Sequence, residues 1–168
     1  MSTHTDLAAH LVWGLRGGHA HAGAEEAFGD VACGVEGRVP GRFPHSLWQL
    51  LEHLRICQRD LIDDATTPGH ASPDFPDGLW PADPDPPDGA AYENALAAFL
   101  ADLEELCGLI EAAGPAGLLA PPPHAPPGGH DAGGVPTLLR TATIALDHQA
   151  YHVGQAVAVR KFLGCWPG

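Results

Sequence analysis

Two long stretches rich in proline divide the chain and limit where regular structure can form. They cover residues 65–87, with the sequence ATTPGHASPDFPDGLWPADPDPP, and residues 114–136, which contain APPPHAPPGGHDAGG. Proline fixes φ and lacks a backbone N–H group, so neither stretch is expected to form a long helix or a central strand. Regular structure is therefore predicted only in the segments between them.

Those segments space their apolar residues as amphipathic helices do, and no useful run alternates with period two. Ser46 and Thr137 are suited to cap two of the helices at their N-termini, and Gly17 and Gly164 are suited to end two of them. A short helical piece is also expected at residues 24–31. The four main helices are predicted at about residues 5–16, 46–64, 90–112 and 137–163.

The pattern predicts an all-α fold, a four-helix bundle formed by a single domain over residues 1–168. When extended, residues 65–87 can span well over the length of the second helix. A short up-and-down bundle needs no such loop. We therefore expect a long crossover between helices two and three, which would make these two helices parallel.

The charge balance excludes some classes of partner. The chain has 8 Lys and Arg against 21 Asp and Glu, a formal net charge of -13. Nucleic acids and anionic membrane surfaces both require a basic face, so neither is an expected partner. Residues 1–16 lack the pattern of a signal peptide and no long apolar run is present, so we expect a cytoplasmic protein.

Histidine is the unusual component, since the chain has 11 histidines. His148 and His152 are four residues apart in the fourth helix, so their side chains share one face and can chelate one ion. A third ligand must come from another helix, and His53 lies at the edge of the leucine stripe of the second helix. The four cysteines lack CxxC spacing and are interpreted as structural or incidental thiols.

The segment PHSLWQLLEHL, residues 44–54, and the pattern His148-x3-His152-x-Gly154-Gln155 resemble the DinB-like four-helix bundles. That family includes YfiT-type proteins and bacillithiol and mycothiol S-transferases. The resemblance implies a divalent metal ion held by three histidines, here His53, His148 and His152, and a homodimer. It also implies that the metal activates a low-molecular-weight thiol for transfer to an electrophile.

Three neutral imidazoles would leave a divalent ion with an open position, which is typical of catalytic sites. Imidazole suits Zn, Ni and Fe alike, so the metal is not specified. We expect a small-molecule thiol or electrophile as partner, with a thiol or water as nucleophile. No catalytic residue and no organic cofactor are assigned. Two alternatives stay open: a non-catalytic, metal-stabilised binding or stress-response module, and a helical scaffold without metal in which His53 lies apart.

Several further side chains have possible roles at such a site. His19, His21 and His45 could line its mouth, and Gln155 could fix the tautomer of a ligand imidazole. Trp80, in the crossover, could line a ligand cleft, although packing is the simplest role for each tryptophan. The remaining histidines are interpreted as incidental: His4, His10, His70, His124 and His130.

Overall fold

The computed structural model describes residues 3–31, 34–125 and 137–167, with only the backbone for residues 3–6. Within these ranges the chain is all-helical, which confirms the predicted fold class. The four predicted main helices correspond to α1, α3, α4 and α5, and α2 is the short piece between the first two. The five α-helices are α1 (Thr3–Arg16), α2 (Ala24–Phe28), α3 (Leu47–Thr66), α4 (Ala91–Leu119) and α5 (Leu138–Leu163).

The predicted caps fix where the two histidine-bearing helices begin. The Ser46 hydroxyl accepts the backbone N–H of Gln49 at 3.1 Å, and the Gln49 side-chain oxygen accepts the backbone N–H of Ser46 at 3.2 Å. This is a capping box at the start of α3. The Thr137 hydroxyl likewise accepts the backbone N–H of Arg140 at 3.2 Å at the start of α5. By fixing the first residue of each helix, these bonds determine how far along the bundle axis its histidines lie.

Helices α3 and α4 are parallel, as the long crossover predicts. The Gln58 side-chain amide donates to the backbone carbonyl of Phe99 at 2.9 Å. One residue further along α3, Arg59 donates to Asp102 at 3.0 Å and to Glu105 at 2.8 Å. Later residues of α3 therefore meet later residues of α4. The crossover at residues 67–90 returns the chain to the N-terminal end of α3 and contains a single 3₁₀ turn, Asp77–Leu79.

The core has two parts along the bundle axis, which we call the upper cluster and the lower cluster. The upper cluster joins α2, the starts of α3 and α4 and the end of α5, and includes Phe28, Leu47, Leu50, Leu51, Leu54, Tyr92, Leu96, Phe99, Val153, Ala156 and Val159. The lower cluster joins α1, the ends of α3 and α4 and the start of α5, and includes Leu11, Val12, Leu15, Ile62, Leu103, Leu106, Cys107, Ile110, Leu118, Ala142 and Ala145. Helix α5 is thus antiparallel to α3 and α4.

Helical structure resumes past the predicted end of α4 at residue 112, so the prediction of an irregular stretch from Gly114 is wrong for residues 115–119. Gly114 breaks the helix with φ 60° and Pro115 follows directly. Proline is well tolerated in the first turn of a helix, where its missing N–H group has no partner to lose. The new turn is stabilised because Leu118 is fully buried in the lower cluster.

The prediction that each tryptophan is a packing residue is wrong for Trp13. Its side chain is 57% exposed and stacks on the ring of His19, whereas Trp48 is buried in the upper cluster. On the α1 helix, Trp13 points away from the face formed by Leu11 and Leu15 because residues two apart are about 200° apart around the axis.

None of the helices in the described ranges combines the length and apolar character that crossing a membrane requires.

Candidate metal centre

Three imidazoles from two helices meet inside the bundle. His53 lies in the second turn of α3, and His148 and His152 lie one turn apart in the middle of α5. The centroid of the His53 ring is 4.9 Å from that of His148 and 4.8 Å from that of His152. The centroids of the two α5 rings are 4.6 Å apart. His53 therefore does approach the other two, unlike in a scaffold where it lies apart.

Hydrogen bonds fix the tautomer of two of these rings. His53 Nδ1 lies 2.8 Å from the backbone carbonyl oxygen of Leu79, and His152 Nδ1 lies 2.7 Å from the side-chain oxygen of Gln155. A carbonyl oxygen only accepts, so each Nδ1 carries the hydrogen and donates. The Nε2 atom of each neutral ring then keeps its lone pair. A second hydrogen bond of this kind is typical of metal-ligating histidines.

The distance between His53 Nε2 and His148 Nε2 is 3.0 Å. Two nitrogens that each lie about 2.0 to 2.1 Å from one ion, at angles near 90° to 110°, are separated by about 2.9 to 3.4 Å. This separation is that of an N–H···N hydrogen bond in which His148 Nε2 donates to His53 Nε2, and it is also the separation of two nitrogens that share one ion.

Burial keeps the imidazoles neutral. His53 is 6% exposed and His152 is 5% exposed. Desolvation lowers the pKa of all three rings, more than the hydrogen bonds to Leu79 and Gln155 raise those of His53 and His152. Repulsion from neighbouring imidazoles, His45 among them, lowers the pKa values further. The pKa values of His148 and His152 fall to about 4. At neutral pH the rings are thus in the unprotonated form that metal coordination requires.

A cysteine stands beside the imidazoles. Cys57 Sγ lies 3.6 Å from His53 Nδ1 and 3.9 Å from His53 Nε2. The donor atoms of His53, Cys57 and His148 lie within 4.8 Å of one another, so these three residues could hold a metal ion. His152 is not a member of this group, although its ring lies close to those of the two histidines. Burial raises the pKa of the Cys57 thiol to about 11, with a smaller contribution from Asp60. Without a cation nearby, this sulfur is therefore protonated at neutral pH.

The interpretation of all cysteines as structural or incidental thiols overlooked Cys57. A signal was present in the sequence, because Cys57 follows His53 by four residues on a helix. This is the same spacing that joins His148 to His152.

A family profile of the DinB superfamily matches residues 36–156. The chain belongs to the DinB superfamily. The matched region contains His53, His148 and His152 and most of the bundle, and leaves α1 and α2 outside it. No curated protein and no solved structure matches the chain.

The crossover of this DinB bundle covers the His53 ring of the candidate metal centre with an aromatic side chain. The Trp80 ring stacks on His53 with centroids 3.6 Å apart and on His45 with centroids 4.0 Å apart. Two hydrogen bonds tie the crossover to the start of α3: the Ser46 hydroxyl donates to the Pro84 carbonyl at 2.6 Å, and the Gln49 amide donates to the Pro81 carbonyl at 3.1 Å. Trp80 therefore lies at the site.

Of the three loop histidines proposed for the mouth of the site, His45 contacts Trp80. Its Nδ1 atom is buried and lacks a hydrogen-bond partner among the described residues, and burial lowers the pKa of its ring. The other two proposed mouth histidines make their contacts elsewhere. His19 stacks on the exposed Trp13, and His21 Nδ1 lies 2.8 Å from the carbonyl of Ala22.

The remaining histidines of this DinB protein lie away from the three imidazoles or outside the described residues. His70 lies 2.7 Å from Asp60, and His124 lies 3.1 Å from the carbonyl of Asp64 near the far end of α3. His10 is exposed. The side chain of His4, and all of His130 and Cys33, lie outside the described residues.

Proposed function

We propose that this DinB superfamily protein binds one divalent ion, Zn, Ni or Fe, through His53, His148 and His152. We further propose that the bound ion activates a small thiol or water for attack on an electrophile, as in thiol S-transferases. The supporting observation is the arrangement of nitrogens: two Nδ1–H groups donate to fixed oxygens, and the His53 and His148 Nε2 atoms are 3.0 Å apart.

The residues around the site hold and orient the ligands. The Leu79 carbonyl and the Gln155 side chain keep the rings of His53 and His152 from rotating. Trp80 excludes water from one face of His53 by stacking on it. A bound divalent ion would supply a Lewis acid that lowers the pKa of a thiol or of water. Because all three ligands are neutral, they would leave its charge uncompensated.

The space beside the three imidazoles is small. A cavity of about 10 Å³, room for about one water molecule, is lined by Phe43, Pro44, His45, Leu50, Gln155 and Val159, so a substrate would approach from the solvent side. Tyr151 is 64% exposed and its ring lies 4.9 Å from that of His152, so it marks the side of the centre that faces solvent. We propose a low-molecular-weight thiol or electrophile as partner, in the cytoplasm.

The homodimer stays a proposal. Exposed apolar side chains on the outer faces of α1 and α4 are suited to an interface. They include Leu7, Trp13 and Leu119.

A second candidate function is a non-catalytic module in which the metal only stabilises the fold. The observation that favours it is Cys57, because a fourth protein donor would close a site that catalysis needs open. Both candidates share the three histidines and differ in turnover.

Two measurements separate the candidates. The protein is purified without chelator, its metal is quantified by inductively coupled plasma mass spectrometry, and thiol transfer is screened with glutathione, bacillithiol and mycothiol over a panel of electrophiles. We expect a stoichiometric metal and a turnover that His148→Ala abolishes. Stoichiometric metal without turnover on any pair would favour the non-catalytic module. A protein that binds no metal would contradict both candidates.

A further inference from the structure

We infer that Cys57 provides a fourth protein ligand, which occupies the position that an incoming small thiol takes. This inference rests on the proposed metal site and adds to it a residue and a resting state. The three histidines would hold the ion permanently, while the Cys57 sulfur would hold the remaining position until an external thiol displaces it.

The position of the sulfur supports this role. Cys57 and His53 lie one turn apart on α3, so the backbone of one helix fixes their relative placement. A sulfur at about 2.3 Å and a nitrogen at about 2.0 to 2.1 Å from one tetrahedral ion are about 3.6 Å apart. The observed distances from Cys57 Sγ are 3.9 Å to His53 Nε2 and 3.6 Å to His53 Nδ1, so the sulfur lies beside the ring. Coordination would require the Cys57 side chain to turn towards Nε2.

The other donor distances agree with a shared ion. Cys57 Sγ lies within 4.8 Å of the nearest donor atom of His148, on the opposite helix. Cys57 is half-buried and therefore not sealed from solvent.

The displacement requires no oxidant and no reductant. An incoming thiol, R–SH, would give its proton to the Cys57 sulfur as that sulfur left the ion, and the sulfur of R–S⁻ would take the same position. One metal–sulfur bond would break and one would form, so the charge at the centre would be unchanged. The Cys57 sulfur would thus keep water out of that position until a thiol replaced it.

Cobalt(II) reports this ligand directly, because a cobalt–thiolate bond gives a charge-transfer band in the near ultraviolet that nitrogen ligands lack. The metal-free protein is loaded with cobalt(II) in a buffer that contains a phosphine reductant in place of a thiol, and its absorption spectrum is recorded. We expect the band in the wild type and its complete loss in Cys57→Ala, whose visible cobalt bands persist. Adding β-mercaptoethanol to the cobalt-loaded Cys57→Ala protein is expected to restore the band saturably.

The matched control is Cys165→Ala. Cys165 is also half-buried but follows the end of α5 at Leu163, which lies about 16 Å further along the helix axis than His152. This variant is expected to keep the band. Cys57→Ser serves as a second variant, and far-ultraviolet circular dichroism checks that each protein is folded.

Each contrary result has a distinct meaning. If the band survives in both folded Cys57 variants, the thiolate comes from another cysteine and the inference is overturned. If cobalt binds to wild type without the band, the proposed metal site stands and Cys57 is not a ligand. If β-mercaptoethanol fails to restore the band in Cys57→Ala, the position is not the place of an incoming thiol. If wild type binds no cobalt, the metal site and this inference both fail.

Discussion

Helices α3 and α5 contribute two different kinds of interior side chain to the bundle, apolar ones in the lower cluster and imidazoles in the candidate metal centre. In the lower cluster the two helices contribute apolar side chains such as Ile62, Ala142 and Ala145, which pack with α1 and α4. About one to two and a half turns further up, the same helices contribute His53, His148 and His152. The covering element also differs, since Trp80 of the crossover lies over His53.

The difference indicates that the two regions have separate roles. Apolar packing stabilises the lower cluster without any ligand, because burial of nonpolar surface is favourable on its own. Three close, partly buried imidazoles contribute less to stability and are unfavourable when protonated. The lower cluster is therefore expected to hold the helices in place, and the metal centre to gain stability from its ion.

The largest effect is expected in the lower cluster. Leu106 is fully buried there, and Leu106→Ala should lower the free energy of unfolding by about 2 to 5 kcal/mol by leaving a cavity. Urea unfolding measured with and without metal should show the same loss in both. The control is Leu119→Ala at a side chain that is 62% exposed, where little change is expected. A loss that disappears when metal is added would contradict the separation of the two regions.

The second effect concerns the metal itself. At a free metal concentration of 100 times the dissociation constant, binding should stabilise the wild type by about 2.7 kcal/mol, and His148→Ala should lose this gain. Thermal unfolding with and without metal measures it. The control is His124→Ala, because His124 is bonded to Asp64 near the far end of α3. Equal metal-dependent gains in His148→Ala and the wild type would show that the ion binds elsewhere.

The third effect comes from the residue that orients His152. Gln155→Leu removes the oxygen that accepts the His152 Nδ1–H, and such a change typically weakens metal affinity by about 10-fold to 100-fold. Gln155→Glu keeps an acceptor oxygen and should retain most of the affinity. Metal affinities are measured by competition with a chromophoric chelator. Unchanged affinity in Gln155→Leu would mean that His152 is not held as a ligand.

The smallest effect is the pH dependence of the metal-free protein. The folded pKa values of His148 and His152, about 4, lie below the unfolded value. The unfolded chain therefore binds more protons at mildly acidic pH, and this contribution to stability is complete above about pH 6.5 and is lost as the pH falls towards 4. We expect the unfolding temperature to fall by roughly 5 °C over that range, after allowance for partial exposure.

The control for the pH measurement is again His148→Ala, compared with the wild type under the same buffers. Removing one of the two histidines should reduce the fall in unfolding temperature between neutral and mildly acidic pH. An identical pH dependence in the two proteins would show that carboxylates, and not these imidazoles, control acid stability.

Much of the fold followed from local chemistry. The capping box at Ser46, the Thr137 cap and the proline-rich stretches determined where the helices begin and that the crossover is long. The continuation of α4 after Gly114 was not predicted, because it depends on burial of Leu118 against distant helices. A local pattern contains no information on such a contact.

The candidate site could be predicted from the sequence only in part, and its metal ligands stay a prediction. Helical spacing and the family resemblance named His53, His148 and His152 and suggested the contact of Gln155 with a ligand ring. The Leu79 carbonyl and the stacking of Trp80 and His45 depend on how the crossover folds back onto α3, which sequence spacing does not determine. Cys57 was visible in the spacing and was missed because the cysteines were considered only in relation to one another.

The most direct test is a crystal structure of the metal-loaded protein, with diffraction data collected on both sides of the absorption edges of Zn, Ni and Fe. We predict one anomalous peak per chain, bonded to the Nε2 atoms of His53, His148 and His152 at about 2.0 to 2.1 Å. An ion bound without His152, or no ion among the three imidazoles, would contradict the proposed centre.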